Sequence, residues 1–383
     1  MRKGMFINKG RKMYIKLIVS IVCVSALSNA SAQNVTIDGL KYYLYPETHE
    51  AAIDYGNTWS GELILPSEVS YNGDSYTVNG ISHGAFRFCK ELTRVRIPKT
   101  IDRVIHHVLT DDPHVMGSVS SDCMNPFEGC TALESIEVDD ENPIMRSIGG
   151  ILFNKDGTRL YAYPGGMKAE SYAVPDGVTW IGFVAFSSNE HLVTVELPAS
   201  VSMLCGGCFD GCGRLVSVEL PEGITHLEAY MFRNCSCLKS IEIPRSVTSL
   251  GEQVFYDCSS LKVIDVPSNV TFIGSISFSH CKLDALIIRG TLDSQCVNRY
   301  LLSGLDKSST LYVPATEIDR YKELFTGTVL PLEEYGTGIQ LPTATKSDPA
   351  NSIYDLSGRR VQGAPKKGVY IQGEKKMVIS GKQ

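Results

Sequence analysis

Acidic residues recur at one position of a 23-residue sequence pattern, and their types and spacing point to chemistry on a surface. Each lies between two apolar residues in a short alternating run, which places it on the outward side of a strand. We name this set the acidic column: Glu137, Glu196, Glu219, Glu242 and Asp265. Carboxylates on neighbouring strands, about 5 Å apart, would attract cations or a basic partner. The alternative is a solvated face that keeps the chain soluble and blocks edge pairing.

A second polar group has the residue types of a divalent metal site. It gathers three histidines and two aspartates within nine residues: His106, His107, Asp111, Asp112 and His114. Imidazole and carboxylate groups are common zinc ligands. The group lacks the His-Glu-x-x-His spacing of a zinc protease and lies in an insertion, so a solvated polar loop is the favoured interpretation. We therefore expect no metal and no cofactor, and keep these residues as weak candidates.

Cysteine is frequent, with eleven of the twelve cysteines following residue 32. Six share one repeat position, which we name the thiol column: Cys89, Cys130, Cys212, Cys235, Cys258 and Cys281. A small thiol suits a buried turn, where S–H can donate to a backbone carbonyl, so free structural thiols are predicted. Whether any of them form disulfides stays open. Cys205-Gly-Gly-Cys208 lacks the second pair of a zinc site and the fold context of a redox site, which favours a tight turn.

Motifs for catalysis are missing from the sequence. It contains no Gly-x-Ser-x-Gly elbow, no phosphate-binding P-loop and no Gly-x-Gly-x-x-Gly after a strand. Repeat positions also account for most residues that a catalytic site would use. We therefore expect a binding protein rather than an enzyme.

The acidic column belongs to a repeat that runs through most of the chain. Prolines and phenylalanines recur every 23 residues in one register: Pro175, Pro198, Pro221, Pro244 and Pro267, with Phe186, Phe209, Phe232, Phe255 and Phe278. Two earlier units begin at Phe86 and Phe127. Each unit ends in an alternating apolar run, such as residues 238–243, which predicts a short strand. One unit cannot bury its own apolar side, so units are expected to stack around a continuous core.

This pattern resembles the BspA-like leucine-rich repeats of bacterial secreted and surface proteins. The likeness rests on residues 244–251, Pro-Arg-Ser-Val-Thr-Ser-Leu-Gly, and on the Val254-Phe255 and Cys258 that follow. It implies a leucine-rich repeat solenoid that is mostly β, with short turns and 3-10 segments, and a role in adhesion or host-matrix binding. It carries over no individual site residue. The chain departs from the pattern at Asn189 in place of Cys, at Asp139 in place of Pro, and by a deletion after Cys281.

The first 32 residues have the form of a secretory signal peptide. Six basic residues precede or flank an apolar stretch at 17–27, and Ala30-Ser31-Ala32 forms a small-x-small cleavage site. The expected location is therefore secreted or on the outer cell surface, with the periplasm as the alternative.

The charge distribution narrows the class of partner. After residue 32 the chain carries 30 basic and 42 acidic residues, a net charge of −12. Residues 34–345 carry −17 and residues 346–383 carry +5. An acidic body disfavours nucleic acid and anionic membranes, and no later segment has the length and hydrophobicity of a membrane span.

The predicted organisation has four parts. The signal peptide (1–32) precedes a solenoid at 33–335, which carries insertions at 70–80, 105–125 and 140–174. Hairpin turns are expected at Asn72-Gly73 and at residues 154–157. A linker rich in Thr, Gly and Pro follows at 336–350. Residues 351–383 resemble the C-terminal sorting segments of Bacteroidetes secreted proteins, with three alternating runs that predict a small β meander.

Three functions from different classes remain, of which the third is a purely structural surface-layer or spacer role. The first is a secreted or cell-surface protein that binds a protein or matrix ligand through an extended face, with the acidic column as the contact. The second is a periplasmic or secreted factor that handles glycans or metals through the 105–125 insertion. The pattern leaves the ligand and the oligomeric state open.

Overall fold

The computed structural model describes residues 33–105 and 125–335, and the backbone of three strands between residues 353 and 379. The chain forms two compact units that divide after Leu332. In the part of the chain that the structure describes, nearly all regular structure is β, with one short helix, α1 (Ile318–Lys322), and 3-10 turns at Ala315–Glu317 and Leu332–Glu334. Within these described residues, no helix has the length and hydrophobicity to cross a membrane. The predicted signal peptide, most of the 105–125 insertion and the 336–350 linker lie outside them.

The first unit begins with a capping sheet. Its first nine strands are β1 (Gln33–Ile37), β2 (Leu40–Tyr45), β3 (Glu50–Ile53), β4 (Ser60–Ile64), β5 (Glu68–Tyr71), β6 (Asp74–Ser82), β7 (Glu91–Ile97), β8 (Arg103–Ile105) and β9 (Ser135–Val138). Strands β1, β2, β3, β6 and β5 form the cap in that order, and β8 also pairs with β6. Tyr71 lies opposite Asp74 in the antiparallel pair β5–β6, which confirms the hairpin predicted at Asn72-Gly73. Strands β4, β7 and β9 form a separate parallel sheet.

The rest of the unit is a stack of repeats. Its strands are β10 (Met145–Ile148), β11 (Ile151–Asn154), β12 (Arg159–Ala162), β13 (Ser171–Ala173), β14 (Trp180–Ile181), β15 (Thr194–Glu196), β16 (Met203–Leu204), β17 (Ser217–Val218), β18 (His226–Leu227), β19 (Ser249–Leu250), β20 (Val263–Val266), β21 (Phe272–Ile273), β22 (Ala285–Ile288), β23 (Thr310–Val313) and β24 (Thr328–Pro331). Strands from successive repeats pair in parallel, so Trp180 lies opposite Met203 and Ser249 opposite Phe272. Strands β11 and β12 pair antiparallel, which confirms the second predicted hairpin. The predicted leucine-rich repeat solenoid is confirmed.

One predicted strand does not form. Residues 238–243 contain no assigned strand, and the main sheet is divided there into β13–β15–β17 and β20–β22–β23–β24. The two isoleucines of this segment are nevertheless buried, at 9% and 5% exposure. Glu242, which stands between Glu219 and Asp265 in the acidic column, lies within this break.

Phenylalanine rings form the centre of the core. The five rings of the repeat are fully buried, and neighbouring ring centroids lie 5.2, 5.5, 5.8 and 6.4 Å apart from Phe186 to Phe278. The rings are nearly parallel, with interplanar angles of 1° and 3° on either side of Phe232. Each repeat therefore buries its aromatic ring against the next, as expected for a unit that has no core of its own.

The thiol column bonds each repeat to the one before it. Cys212, Cys235 and Cys258 donate their S–H groups to the carbonyl oxygens of Phe186, Phe209 and Phe232, at 3.0 to 3.1 Å. Cys130 and Cys281 do the same with Phe86 and Phe255, and Cys89 with Asn57, all at 3.0 Å. All six side chains are buried and donate to backbone carbonyls, as predicted for structural thiols.

Asn189 replaces cysteine in this column and makes more bonds than a thiol could. Its side chain is fully buried, and Nδ2 donates to the carbonyls of Pro164 and Gly165 at 3.2 Å each. Its Oδ1 accepts from the backbone N–H groups of His191 and Leu192, at 2.9 and 2.8 Å. The amide thus joins the 140–174 insertion to the first regular repeat.

Substitutions at Asn189 should separate the contribution of its hydrogen bonds to stability from that of its side-chain volume. We expect Asn189→Ala to lower the free energy of unfolding by about 3 kcal/mol, because buried backbone donors and acceptors lose their partners. Asn189→Cys, which restores the repeat residue and one donor, should cost about half as much. Urea unfolding followed by circular dichroism would measure both. Equal losses in the two variants would show that side-chain volume, not hydrogen bonding, matters here.

The second unit contains a three-stranded antiparallel meander. Its strands are β25 (Ile353–Asp355), β26 (Gly368–Gln372) and β27 (Lys375–Ile379). Tyr354 lies opposite Ile371, and Tyr370 opposite Met377. The predicted meander is confirmed, whereas a role in sorting stays a prediction.

Candidate functional site

The acidic column lies on the outward face of the strands, on both sides of the break in the sheet. Glu137 is in β9, Glu196 ends β15, and Glu219 follows β17. Glu242 lies in the segment that forms no strand, and Asp265 is in β20. The five carboxylates therefore share a face but differ in their local structure. The sequence pattern alone predicts the same surroundings for all five.

At the N-terminal end, arginines neutralise the column. Arg96 lies opposite Glu137 in the β7–β9 pair, and its Nε is 2.9 Å from a carboxylate oxygen of Glu137. The same Nε lies 3.6 Å from Glu62, and Arg94 is 4.0 Å from Glu137. These side chains are 42 to 53% exposed, so each pair adds little stability. Their main effect is to cancel the charge of Glu137 toward a partner.

A cavity opens beside this ion-pair network. It has a volume of about 330 Å³ and lies at the carboxyl ends of β4, β7 and β9. Its lining includes Ile64, Arg96, Pro98, Glu137 and Asp139. Ile64 is 65% exposed, an unusual state for a large apolar side chain. The site therefore combines an apolar contact with charged groups on its rim.

At the C-terminal end, an arginine pairs with the last residue of the acidic column. Arg289 holds Asp265 with two hydrogen bonds of 2.6 Å each, from Nε and from a terminal nitrogen. The next outward positions in the register belong to Ile287 and Tyr312, which are buried at 0% and 5% exposure. The acidic surface therefore ends at Asp265.

The middle of the column remains acidic. Glu196, Glu219 and Glu242 come from three successive repeats, and each side chain is exposed. Among residues 33–105 and 125–335, no ion pair involves Glu196 or Glu242. We name these three residues the central glutamates. They form the part of the acidic column that is best placed to meet a positively charged partner.

The repeat pattern did not lead us to predict that Arg96 and Arg289 pair with the acidic column, although the sequence contains signals for both. Arg96 occupies the outward position of an earlier unit, between Val95 and Ile97. Arg289 pairs with the column because the deletion after Cys281 shifts it into the proline position of the repeat. Reading every residue at the outward position, rather than the acidic ones alone, would have found Arg96.

The other candidate sites gain no support from the described residues. His106, His107, Asp111, Asp112 and His114 lie outside them, so the metal-handling alternative stays a prediction. Across residues 33–105 and 125–335, no three His, Cys, Asp or Glu side chains gather as metal ligands would.

The Cys205-Gly-Gly-Cys208 segment lies in a turn of the repeat. Cys205 accepts a hydrogen bond from the Trp180 indole N–H at 2.8 Å. Cys208 is fully buried, and burial raises its pKa well above the usual value for a thiol. A thiol with a raised pKa is a poor nucleophile, which fits the interpretation as a tight turn.

Comparison with known proteins places this architecture in a family. A family model described as the BspA type leucine rich repeat region matches residues 74–160 and 158–284, in six copies. The comparison with curated proteins gives no match. The solved structure of the pneumococcal vaccine antigen PcpA is similar at 15% identity and a TM-score of 0.49, over 79% of this chain and 99% of that one. A leucine rich cell surface protein from Faecalibacterium prausnitzii is similar at 18% identity and a TM-score of 0.39, over 78% and 99%. A leucine rich repeat protein of T. pallidum is similar at 26% identity and a TM-score of 0.32, over 60% and 91%.

Proposed function

Because this chain belongs to the BspA-type leucine-rich repeat family, we propose that it is an exported, surface-acting protein that binds a protein or matrix ligand through the outward face of its repeats. The observation that carries the proposal is the exposure of the central glutamates on three successive repeats. The expected signal peptide supports export. The proposed activity is adhesion, not catalysis.

A stacked solenoid suits binding by many weak contacts. The buried phenylalanine rings and the thiol–carbonyl bonds hold successive repeats in a fixed register. A surface that is already ordered loses little conformational entropy when a partner binds. Individually weak contacts along such a face can therefore add up to a useful affinity.

Charge favours a basic partner and sets where it binds. Residues 34–345 carry a net charge of −17, which would speed the approach of a positively charged surface. Arg96 and Arg289 bring positive charge to the two ends of the acidic column. Because these arginines are paired with carboxylates, the two ends are close to neutral, and a basic partner would be attracted more strongly to the central glutamates than to the ends of the column.

The cavity beside Glu137 gives the same face an apolar contact. Ile64 is exposed there, and Pro98 also lines the cavity. An apolar side chain of the partner would bury Ile64 and contribute affinity that salt does not screen.

A charge-neutralising variant tests the proposal. We expect Glu196→Gln/Glu219→Gln/Glu242→Gln to weaken capture of immobilised matrix proteins about ten-fold, since each lost charge contact is worth about 0.5 kcal/mol. Surface plasmon resonance against a panel of purified matrix glycoproteins, at low and at physiological salt, would measure the loss. Poly-L-lysine serves as a simple charge probe in the same experiment.

The control variant must change the net charge by the same amount at residues outside the acidic column. Glu190, Glu222 and Glu228 are exposed carboxylates outside the acidic column, and their triple Gln variant has the same charge. Equal losses of capture in both triple variants would show that the overall charge of the protein, not the position of the central glutamates, determines binding. Unchanged capture by the central variant would remove the acidic column from the proposed function.

A further inference from the structure

A second cavity lies at the turns of the last repeats in the stack. It has a volume of about 420 Å³, within the range of pockets that hold small molecules. Most of its lining is polar and includes the side chains of Asp257, Ser259, His280, Lys282 and Asp306. The cavity therefore differs from the one beside Glu137, whose lining includes several apolar residues, and it suits a ligand with many polar groups.

The sequence departs from the repeat at this cavity. In the preceding repeat two residues, Ser259 and Ser260, separate the thiol column from the next leucine, whereas Lys282 alone follows Cys281. The deletion in the repeat pattern thus falls within the cavity lining, and a long cationic side chain stands where the preceding repeat has the hydroxyl of Ser259. Repetition of the pattern alone does not account for this combination of side chains.

Hydrogen bonds and a ring contact hold the turns of the cavity in place. The backbone N–H of Asp257 donates to Ser279 O at 2.9 Å. The backbone N–H of His280 donates to Gly304 O at 3.0 Å, which continues the bonding to the next turn. The His280 ring also meets the Tyr256 ring edge-on, with the two centroids 5.1 Å apart. Side chains on turns that are already ordered lose little conformational entropy when a ligand binds.

The carboxylate of Asp306 is oriented within its own turn. Its Oδ1 accepts hydrogen bonds from the backbone N–H and the hydroxyl of Ser308, both at 2.9 Å. These bonds and the positive charge of Lys282 lower the pKa of Asp306, so the carboxylate is ionised at neutral pH. The ammonium group of Lys262 lies 3.4 Å from the Lys282 carbonyl oxygen. With Asp257, two carboxylates and two ammonium groups therefore balance one another in and beside the cavity.

This balance of charge restricts the class of ligand. An anionic ligand would be repelled by Asp257 and Asp306, and a cationic one by Lys282 and Lys262. A bound metal ion is also disfavoured, since no three metal-ligating side chains gather anywhere in the described residues, this cavity included. An uncharged molecule with several hydroxyl groups can use every group of the lining, because carboxylates accept hydrogen bonds from hydroxyls whereas ammonium and imidazole N–H groups donate to them. Neutral sugars have this chemistry.

We propose that this cavity binds a neutral sugar residue of a glycan. Asp257 and Asp306 accept hydrogen bonds from the sugar hydroxyls, and His280 and Lys282 donate hydrogen bonds to the sugar oxygens. A ligand of this size in a polar cavity binds weakly, with a dissociation constant of about 1 mM. The cavity shares no residue with the acidic column, so the inference goes beyond the proposed function and stands even if that function fails.

Saturation-transfer difference NMR of the full chain with simple sugars tests the proposal. The neutral probes are the methyl glycosides of glucose, galactose, mannose and N-acetylglucosamine, and the charged probes are glucosamine and glucuronic acid. We expect at least one neutral glycoside to bind with a dissociation constant of about 1 mM and more tightly than either charged sugar. Its affinity should be the same at low and at physiological salt, unlike binding through the central glutamates. The absence of saturation transfer to every neutral glycoside, or equal or tighter binding of a charged sugar, would overturn the proposal.

Glycine variants at one repeat position test whether the sugar lies in the cavity. Asp257 and His280 have φ angles of 57° and 60°, and Gly211 occupies the same repeat position with a φ of 73°. Asp257→Gly and His280→Gly therefore remove a side chain without straining the turn, and each should weaken sugar binding about ten-fold. Asn234→Gly is the matched control and should leave binding unchanged, because Asn234 has the same repeat position and a φ of 60° but lies outside the cavity lining. Full binding in both cavity variants, or an equal loss in Asn234→Gly, would refute the site. Where a variant fails to fold, the comparison of neutral and charged sugars on the unmodified chain decides the question.

Discussion

Phe232→Ala should lower the free energy of unfolding by about 3 to 5 kcal/mol, the range for truncating a large buried aromatic ring. Phe232 is fully buried, and its ring stacks on Phe209 at 5.5 Å and on Phe255 at 5.8 Å. Removing the ring leaves a cavity in the middle of the stack and deprives both neighbours of a packing partner. Because repeats are stabilised by contacts with their neighbours, the damage should spread to the repeats on either side.

Urea unfolding followed by far-ultraviolet circular dichroism would measure the effect. We expect a lower midpoint and, since coupling between the two halves of the stack is weakened, a broader or two-step transition. Phe272→Ala is the matched control, because Phe272 is 45% exposed and should change stability by less than about 1 kcal/mol. A loss below about 1.5 kcal/mol for Phe232→Ala would mean that the stack relaxes to fill the cavity.

The stacked interior was predictable because each repeat places the same residue at the same point. A column of phenylalanines at constant spacing can be buried by every repeat in the same way only if the repeats stack in register. The thiol column follows the same logic, and its bonds to Phe186, Phe209 and Phe232 carbonyls recur with nearly constant length. Periodicity thus predicts both the fold and the role of the residues that face inward.

The outward face was harder to predict because its ion pairs connect residues at different positions of the repeat and in different strands. Glu137 meets Arg96 across one strand pair, whereas Asp265 meets Arg289 along a diagonal that a one-residue deletion creates. Periodicity places a side chain on a face, but it does not say which long side chain will reach it. Of the acidic column, Glu196 and Glu242 have no ion pair among the described residues, which becomes visible only once the pairs of Glu137 and Asp265 are known.

Strand formation departs from the pattern at one place. Residues 238–243 keep the apolar alternation, and Ile241 and Ile243 are buried as expected. The alternation predicts which side chains face the core, but it does not by itself specify the hydrogen bonds between neighbouring strands. A repeat can therefore keep its place in the core and still lose its strand.

Gly274→Ala should destabilise the solenoid by at least about 3 kcal/mol, because it puts a methyl group where two backbones meet. A Cβ at residue 274 would lie 2.4 Å from the backbone nitrogen of Glu252 and 2.6 Å from the carbonyl carbon of Gly251. These atoms belong to the adjacent repeat, and Gly274 N–H also donates to Leu250 O at 2.8 Å in the bonding between repeats. The neighbouring backbone cannot move without breaking such bonds, so the two repeats must separate locally.

Gly213→Ala is the matched control and should have the opposite sign. The nearest atom to a Cβ there is Ser236 Oγ, at 3.9 Å, which leaves room for the methyl group. An alanine reduces the freedom of the unfolded chain, so we expect a gain of about 0.5 kcal/mol. Urea midpoints of the two variants, measured side by side, distinguish close backbone approach from a general cost of losing glycine. Similar losses in both would show that the distance between neighbouring repeats is not what requires glycine at residue 274.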